Sequence, residues 1–292
     1  MLSIYYKMMY NRYMRKNKVI LVIQEKFENV SLVDYLLSFH CAKSYINNLI
    51  CSKKVKINEK VVTNHNEILY KNDIVEIELE AEEIELYEKD ICVIYEDDYV
   101  LVVNKPSRIL VHTDGNTNET LTNAVANYLK THDKGFCAYP IHRLDYETTG
   151  IVVFAKDRLS LSYLSVEVER HNLEKEYVCL CHGQFQKVKG EINKAIGKDR
   201  HSNRQIICNS GKVAETKYEV LKNGKISKVK VIIKHGRKHQ IRVHLKSIGH
   251  EIVGDKIYGN CESGDLKLHF RRVVFTHPYT RKITEIICEE DF

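Results

Sequence analysis

The segment "YPIHRLDYETTGIVVFAKD", Tyr139 to Asp157, sets a histidine, an arginine and a carboxylate, His142, Arg143 and Asp145, a few residues ahead of the unbroken apolar run Ile151 to Ala155. A carboxylate in such a place can serve as nucleophile or base, and a nearby cation can orient it. A second segment, "GRKHQIRVHLKSIGH", carries suitable cations: at helical spacing His239, Arg242 and Lys246 fall on a different face from Ile241, Leu245 and Ile248, and Gly249 is placed to end the helix. Beside an otherwise unpaired Asp145, Arg242 would hold the carboxylate by bidentate hydrogen bonds. Two plainer readings stand next to this one. Arg143 and Asp145 could be a structural pair that pins a turn, and the second segment could be an amphipathic helix with a solvated basic side.

The elements that must position these residues are legible around them. The run Ile151 to Ala155, preceded by Gly150 and followed by Lys156, predicts a strand buried on both faces, so the charged block sits at the mouth of a rigid core element. "YVLVVNKPSRIL" predicts a strand stopped by Pro106, while "TLTNAVANYLK" and "DRLSLSYLSVEVERHNL" predict helices. "KEYVCLCHGQF", "EINKAI", "ETKYEVLKN" and "SKVKVIIK" supply further strands. Interspersed strands with few helices and no regular strand–helix rhythm predict a mixed α+β domain over residues 91–292, not a doubly wound sheet.

The N-terminal part predicts a smaller module over 18–80. After the strand in "KVILVIQEKF" come two helical patterns, Leu32, Tyr35, Leu36 and Phe39 on one and Tyr45, Ile46, Leu49 and Ile50 on the other, with Ser31 and Ser44 as candidate caps. "VKINEKVV" reads as two extended pieces about an Asn58-Glu59 turn, and "NDIVEIELE" as a closing strand. Lys43, Lys53, Lys54, Lys56 and Lys60 give this module a basic side. Charge then reverses between Glu76 and Asp90, which marks an acidic linker over 81–90. Residues 1–17 form an aromatic, basic tail without the apolar centre of a secretory signal.

Composition narrows the function classes. A net charge of +6 on 292 residues leans toward polyanions without choosing between nucleic acid and acidic lipid. No apolar run approaches the ~18 residues that span a bilayer. Nine cysteines without C-x-x-C spacing argue against a disulfide framework or structural zinc site and point to reduced thiols in a cytoplasm. Cys179 and Cys181 share one face of a predicted strand as small core hydrophobes. The usual phosphate-loop, dinucleotide and nucleophile-elbow motifs are missing, and His235, His239 and His244, though close in sequence, have no neighbouring carboxylate to complete a metal site.

Four separated segments, "VVNKPSRILVH", "HRLDYETTGIVVFAK", "KEYVCLCHG" and "GRKHQIRVHLKSIGHEIVGDKIYG", stand in the order and wording of the pseudouridine synthases of the RluA type, which this chain resembles. Residues 31 to 79 resemble the small alpha-L RNA-binding module found ahead of such synthases. The resemblance implies the pseudouridine synthase fold, a mixed and largely antiparallel α+β sheet with a small N-terminal α/β RNA-binding domain, and isomerisation of uridine in RNA with no metal or other cofactor. By the motif, Asp145 is the catalytic carboxylate, Arg242 its basic partner and Tyr177 the active-site tyrosine whose ring stacks on uracil. Arg143 resembles the side chain that props the space left by an everted nucleotide, and substrate contacts are expected from His142, Lys105, Thr148, His239 and Gln240. Lys43, Lys53 and Lys54 would carry the module's grip on RNA.

The wording departs from the family at three places: Thr149 stands where serine is usual, Arg108 replaces a common glycine, and the module's first helix lacks its usual opening arginine. The expected activity is an RNA pseudouridine synthase acting as a cytoplasmic monomer, without a membrane, on large-subunit ribosomal RNA. A transfer-RNA target and a non-catalytic ribosome-assembly factor are the alternatives.

Overall fold

The structure is a computed structural model that describes residues 18–79, 84–132, 138–200, 202, 204–259 and 264–292. The expected tail 1–17, residues 81–83 of the acidic linker, Cys137 and Cys261 lie outside the described residues.

One large sheet of ten strands carries the C-terminal part. Its strands run in the order Lys189–Asn193, Glu215–Lys222, Ile226–Ile233, Glu174–His182, Leu268–Thr276, Thr149–Ala155, Val100–Lys105 and Cys92–Glu96, with Ile283–Ile287 paired to Leu268–Thr276 and Tyr139–Pro140 to Thr149–Ala155. The pairings within it are antiparallel except one: Thr149 and Gly150 run parallel to His269 and Phe270. The sheet is therefore mixed and largely antiparallel, as the resemblance implies.

That parallel junction explains Gly150. Its φ is +110°, and a Cβ there would run into the backbone of Phe270, so only glycine lets the two chains meet so closely. Beyond it, Ile151, Val152, Val153, Phe154 and Ala155 are all fully buried, which is why their alternation is lost and the segment reads as one apolar run. Helix Arg158–Glu169, capped by the Asp157 carboxylate on Ser160 N–H at 2.8 Å, covers one face of this strand. Cys179 and Cys181 are buried neighbours with sulfurs 3.6 Å apart, small core residues on one face as expected.

The N-terminal module holds a four-stranded sheet in the order Lys18–Val22, Ile74–Glu78, Val55–Ile57 and Lys60–Val61. Asn58 and Glu59 both take positive φ between the last two, the turn the sequence suggests. Helix Leu32–Leu37 starts at Ser31, whose hydroxyl accepts from Asp34 N–H at 3.1 Å. Helix Lys43–Cys51 starts at Ala42 without a side-chain cap. Ser44 therefore lies inside that helix and is not its cap, because the chain enters helical geometry one residue earlier than the nearest hydroxyl.

The module is fastened to the large sheet. Arg281 lies between two aromatic rings, 4.6 Å from the centre of Phe39 and 3.9 Å from that of Tyr163, and donates to Ser38 O at 2.9 Å. Tyr99 donates to Ile20 O at 2.8 Å, and Tyr279 donates to Val22 O. Residues 84–90 take no regular structure and run beside helix Leu121–Thr131, where Asn123 donates to Glu85 O at 2.6 Å. Among the described residues, no helix is long and apolar enough to cross a membrane.

Candidate active site

Asp145 stands in the loop between Tyr139–Pro140 and Thr149–Ala155, with its side chain 23% exposed and its backbone carbonyl accepting from Thr148 N–H at 3.1 Å. Two side chains hold this loop in shape. Lys105, at the end of its strand, is fully buried and donates to the carbonyls of Pro106, Ile109 and Tyr146, each at 3.0 Å. Burial brings its pKa down to about 7 against the opposing charge of Asp145. Its three hydrogens meet three carbonyls, so Lys105 ties the two segments together and is not the substrate contact the sequence suggests.

His142 is the second brace. Its Nε2 accepts from Val153 N–H at 3.3 Å, and its ring stands edge-on to Phe270 with centres 5.4 Å apart. Burial, and after it the charge of Lys175, lowers its pKa to about 3, so the imidazole is neutral. It shapes the turn beneath Asp145 and faces the core instead of substrate.

The cleft in front of Asp145 is open to solvent and is lined by Arg143, Thr148, Tyr177, His239 and Arg242 among others. Residues from four distant segments thus meet at one place. Arg143 is exposed at the rim and forms no ion pair with Asp145, which removes the turn-pinning reading. Thr148 is 2% exposed, and among the described residues its hydroxyl oxygen has no hydrogen-bond partner.

Arg242 sits on helix Gln240–Lys246 and is 2% exposed, not solvated. The bidentate bond expected toward Asp145 goes elsewhere: Nε and Nη2 donate to the two oxygens of Asp255 at 2.8 and 2.7 Å. Only Nη1 faces Asp145, 3.7 Å from Oδ2. Burial alone would raise the Asp255 carboxyl, but Arg242 and the N–H groups of Ile257 and Tyr258 hold it below the usual carboxylate range.

The rest of that helix is buried as well. His244 is fully enclosed between Thr216 and Lys194 O, and Lys246 alone keeps the solvated character expected of the basic side, with its side chain 41% exposed beside Glu251. Gln240 touches the cleft, but its amide donates to Glu215 O at 2.8 Å and Thr216 Oγ1 at 3.0 Å and accepts from Arg237 N–H at 3.1 Å. It anchors the helix and is not free to contact substrate. His235, His239 and His244 reach three separate sets of partners, His171, Tyr258 and Thr216.

Tyr177 is 7% exposed on strand Glu174–His182 and stacks on Phe270, ring centres 4.5 Å apart and planes 11° from parallel. Burial, then the charge of Asp145, pushes its phenol far above the ordinary range, so the hydroxyl keeps its proton. In the module, Lys43 and Lys53 are exposed, whereas Lys54 is half-buried in a crevice with Tyr45, Tyr139 and Arg158. Lys54 is therefore drawn into the junction with the large sheet, away from the exposed basic side where the sequence puts it.

Asp255, Tyr258 and Phe270 escaped the sequence reading of the site. The first two lie within "GDKIYG", where a carboxylate two and three residues ahead of free N–H groups is a legible turn signal. Phe270 carries none, since its place under Tyr177 comes from strand pairing across the sheet.

Residues 99–247 match the family described as RNA pseudouridylate synthase. An uncharacterized RNA pseudouridine synthase of Bacillus subtilis, YhcT, is 34% identical over 286 residues, covering 93% of each chain. Ribosomal large subunit pseudouridine synthase D of Buchnera aphidicola subsp. Baizongia pistaciae is 35% identical over 271 residues, covering 84% of each. In fold, the structure of human RNA pseudouridylate synthase domain containing 1 superposes with a TM-score of 0.60 at 23% identity, over 73% of this chain and 87% of that one. The sequence match, the relatives and the shared fold agree with the cleft: the chain belongs to the RNA pseudouridylate synthase family and is an RluA-type RNA pseudouridine synthase, an isomerase.

Proposed function

We propose that this enzyme converts uridine to pseudouridine in large-subunit ribosomal RNA, with Asp145 as the carboxylate that acts on the ribose. The observation that carries the assignment of residues is the convergence of Asp145, Arg242, Tyr177 and Thr148 on one open cleft. The relatives named as large-subunit enzymes support the ribosomal target. In the reaction the bond from uracil N1 to the ribose C1′ breaks and one from C5 to C1′ forms. A hydrogen leaves C5 and one is gained at N1, so the atoms balance without an oxidant or reductant.

A stacked uridine cannot reach Asp145, so the nucleotide leaves its helix, at a cost of a few kcal/mol. Arg143 at the rim suits the vacated space. Inside, the Tyr177 ring, which lines the cleft and is backed by Phe270, gives the uracil a rigid apolar wall, and its protonated hydroxyl is a donor. The buried, unpartnered Thr148 hydroxyl offers a hydrogen bond to the uracil or the sugar. The N-terminal unit, residues 18–80, is the RNA-binding domain in this proposal, with Lys43 and Lys53 on its exposed side; residues 81–90 link it to the catalytic domain at 91–292. In this proposal the enzyme works as a monomer in the cytoplasm.

The test is a map of pseudouridines by carbodiimide labelling and reverse transcription in cells with the protein, without it, and with Asp145→Asn. The same large-subunit stops should vanish in the last two. Loss of stops only in transfer RNA would move the substrate, and an Asp145→Asn map identical to wild type would remove Asp145 from the chemistry.

A further inference from the structure

We propose that His239 is a positioning residue for Asp145, presenting Nε2–H to Oδ1 while Arg242 faces Oδ2, and that the Tyr258 hydroxyl selects this tautomer. The inference rests on the reading of Asp145 as the reacting carboxylate. His239 Nε2 is 3.9 Å from Oδ1 and Arg242 Nη1 is 3.7 Å from Oδ2, so the carboxylate lies between two nitrogen groups, one facing each oxygen. Each gap exceeds an ordinary hydrogen bond by less than about 1 Å, a distance that commonly closes when substrate fills a cleft.

The tautomer follows from a count of hydrogens. Gln205 N–H donates to the Tyr258 hydroxyl at 2.8 Å, so the phenol is already an acceptor there. Its single hydrogen has one partner among the described groups, His239 Nδ1, also at 2.8 Å. A nitrogen that accepts carries no hydrogen, which leaves the hydrogen of the neutral ring on Nε2, the atom facing Asp145. Burial supports the neutral ring, lowering the His239 pKa against the pull of Asp145.

One turn sets both donors. Asp255 grips Arg242 and also accepts from Ile257 and Tyr258 N–H at 2.9 and 3.0 Å, which places the Tyr258 ring beside His239. His239 itself takes φ +55°, ψ +20°, a left-handed backbone that is costly for a side chain with a Cβ and persists where surrounding contacts over-determine it. Glycine would suit that backbone better.

Four variants, read by rate and by nitrogen–proton spectra, test this. Long-range 15N–1H spectra of the full chain, with His239 assigned through His239→Gln, should show Nε2 protonated and Nδ1 bare, and Tyr258→Phe should give a mixture of tautomers. On total RNA from a deletion strain, His239→Gly should keep wild-type thermal stability and slow single-turnover pseudouridine formation more than tenfold with little change in KM. His239→Gln, whose amide N–H reaches the place of Nε2–H, should recover part of the rate. A wild-type spectrum with the proton on Nδ1, or a His239→Gly rate within twofold of wild type, overturns the inference. Asp145→Asn separates the two ideas: if it is inactive while His239→Gly is fully active, only the role of His239 falls, and if it is active, the reading of the site falls first.

Discussion

Arg242 and Asp255 are joined by two parallel hydrogen bonds of 2.8 and 2.7 Å, and this buried pair leaves one guanidinium nitrogen facing Asp145 across 3.7 Å. The geometry divides the work: Asp255 fixes the cation, and in the proposed reaction the cation orients Asp145. A guanidinium bonded at two points presents its third nitrogen along one fixed direction, which a flexible ammonium does not do.

Removing the fixed partner should therefore cost both stability and rate. Asp255→Ala leaves a buried cation without the carboxylate that its two donors grip, a loss of about 3–5 kcal/mol. Urea unfolding should show the shift in midpoint. Pseudouridine formation should fall in the fraction that remains folded, because Arg242 no longer has a set direction.

The Tyr177–Phe270 stack separates a ring from a hydroxyl. Tyr177→Phe keeps the apolar wall and should leave the unfolding midpoint close to wild type while product formation drops at least tenfold. Phe270→Ala opens a cavity under the tyrosine in a fully buried site and should cost about 3–5 kcal/mol. Equal activity of Tyr177→Phe and wild type would exclude a role for the hydroxyl.

His142 makes a prediction about pH. Folded, it titrates near 3 because it is buried; unfolded, it titrates at the ordinary histidine value of 6.5. Between those values only the unfolded chain takes the proton, so stability falls as pH is lowered through this window, by about 1.4 kcal/mol per unit. His142→Gln keeps an acceptor for Val153 N–H without a titrating group. The stability advantage of wild type over this variant should shrink from pH 6.5 to pH 4, and a constant difference would refute the assignment.

Arg281 tests the seat of the N-terminal module. Arg281→Ala removes the cation from between Phe39 and Tyr163 and the donor to Ser38, and should loosen docking by about 1–2 kcal/mol. Hydrogen exchange should speed up in residues 18–79 while the strand Thr149–Ala155 stays protected. RNA affinity should weaken because the module's basic side is no longer held at a fixed angle to the cleft.

Much of this protein is written locally in its chain. The apolar run Ile151 to Ala155 has no other soluble fate than a doubly covered strand, Pro106 cannot continue a ladder, and Ser31 caps the helix it precedes. The wording around Asp145, Tyr177 and Arg242 likewise points to the family and to an RNA substrate. Side-chain partnerships across the sheet are another matter. Lys105 and His142 read as substrate contacts through the family motifs that carry them, yet their hydrogen bonds go to the protein's own backbone, to three carbonyls and one N–H. Arg242 reads as the clamp on Asp145, but its fork belongs to Asp255, and Tyr177 has Phe270 behind it. Residue type and order alone determined which reaction this chain can perform. Which atom points at which was decided only when strands and helix distant in sequence closed around one loop, because burial makes each polar group find its nearest complementary partner in space.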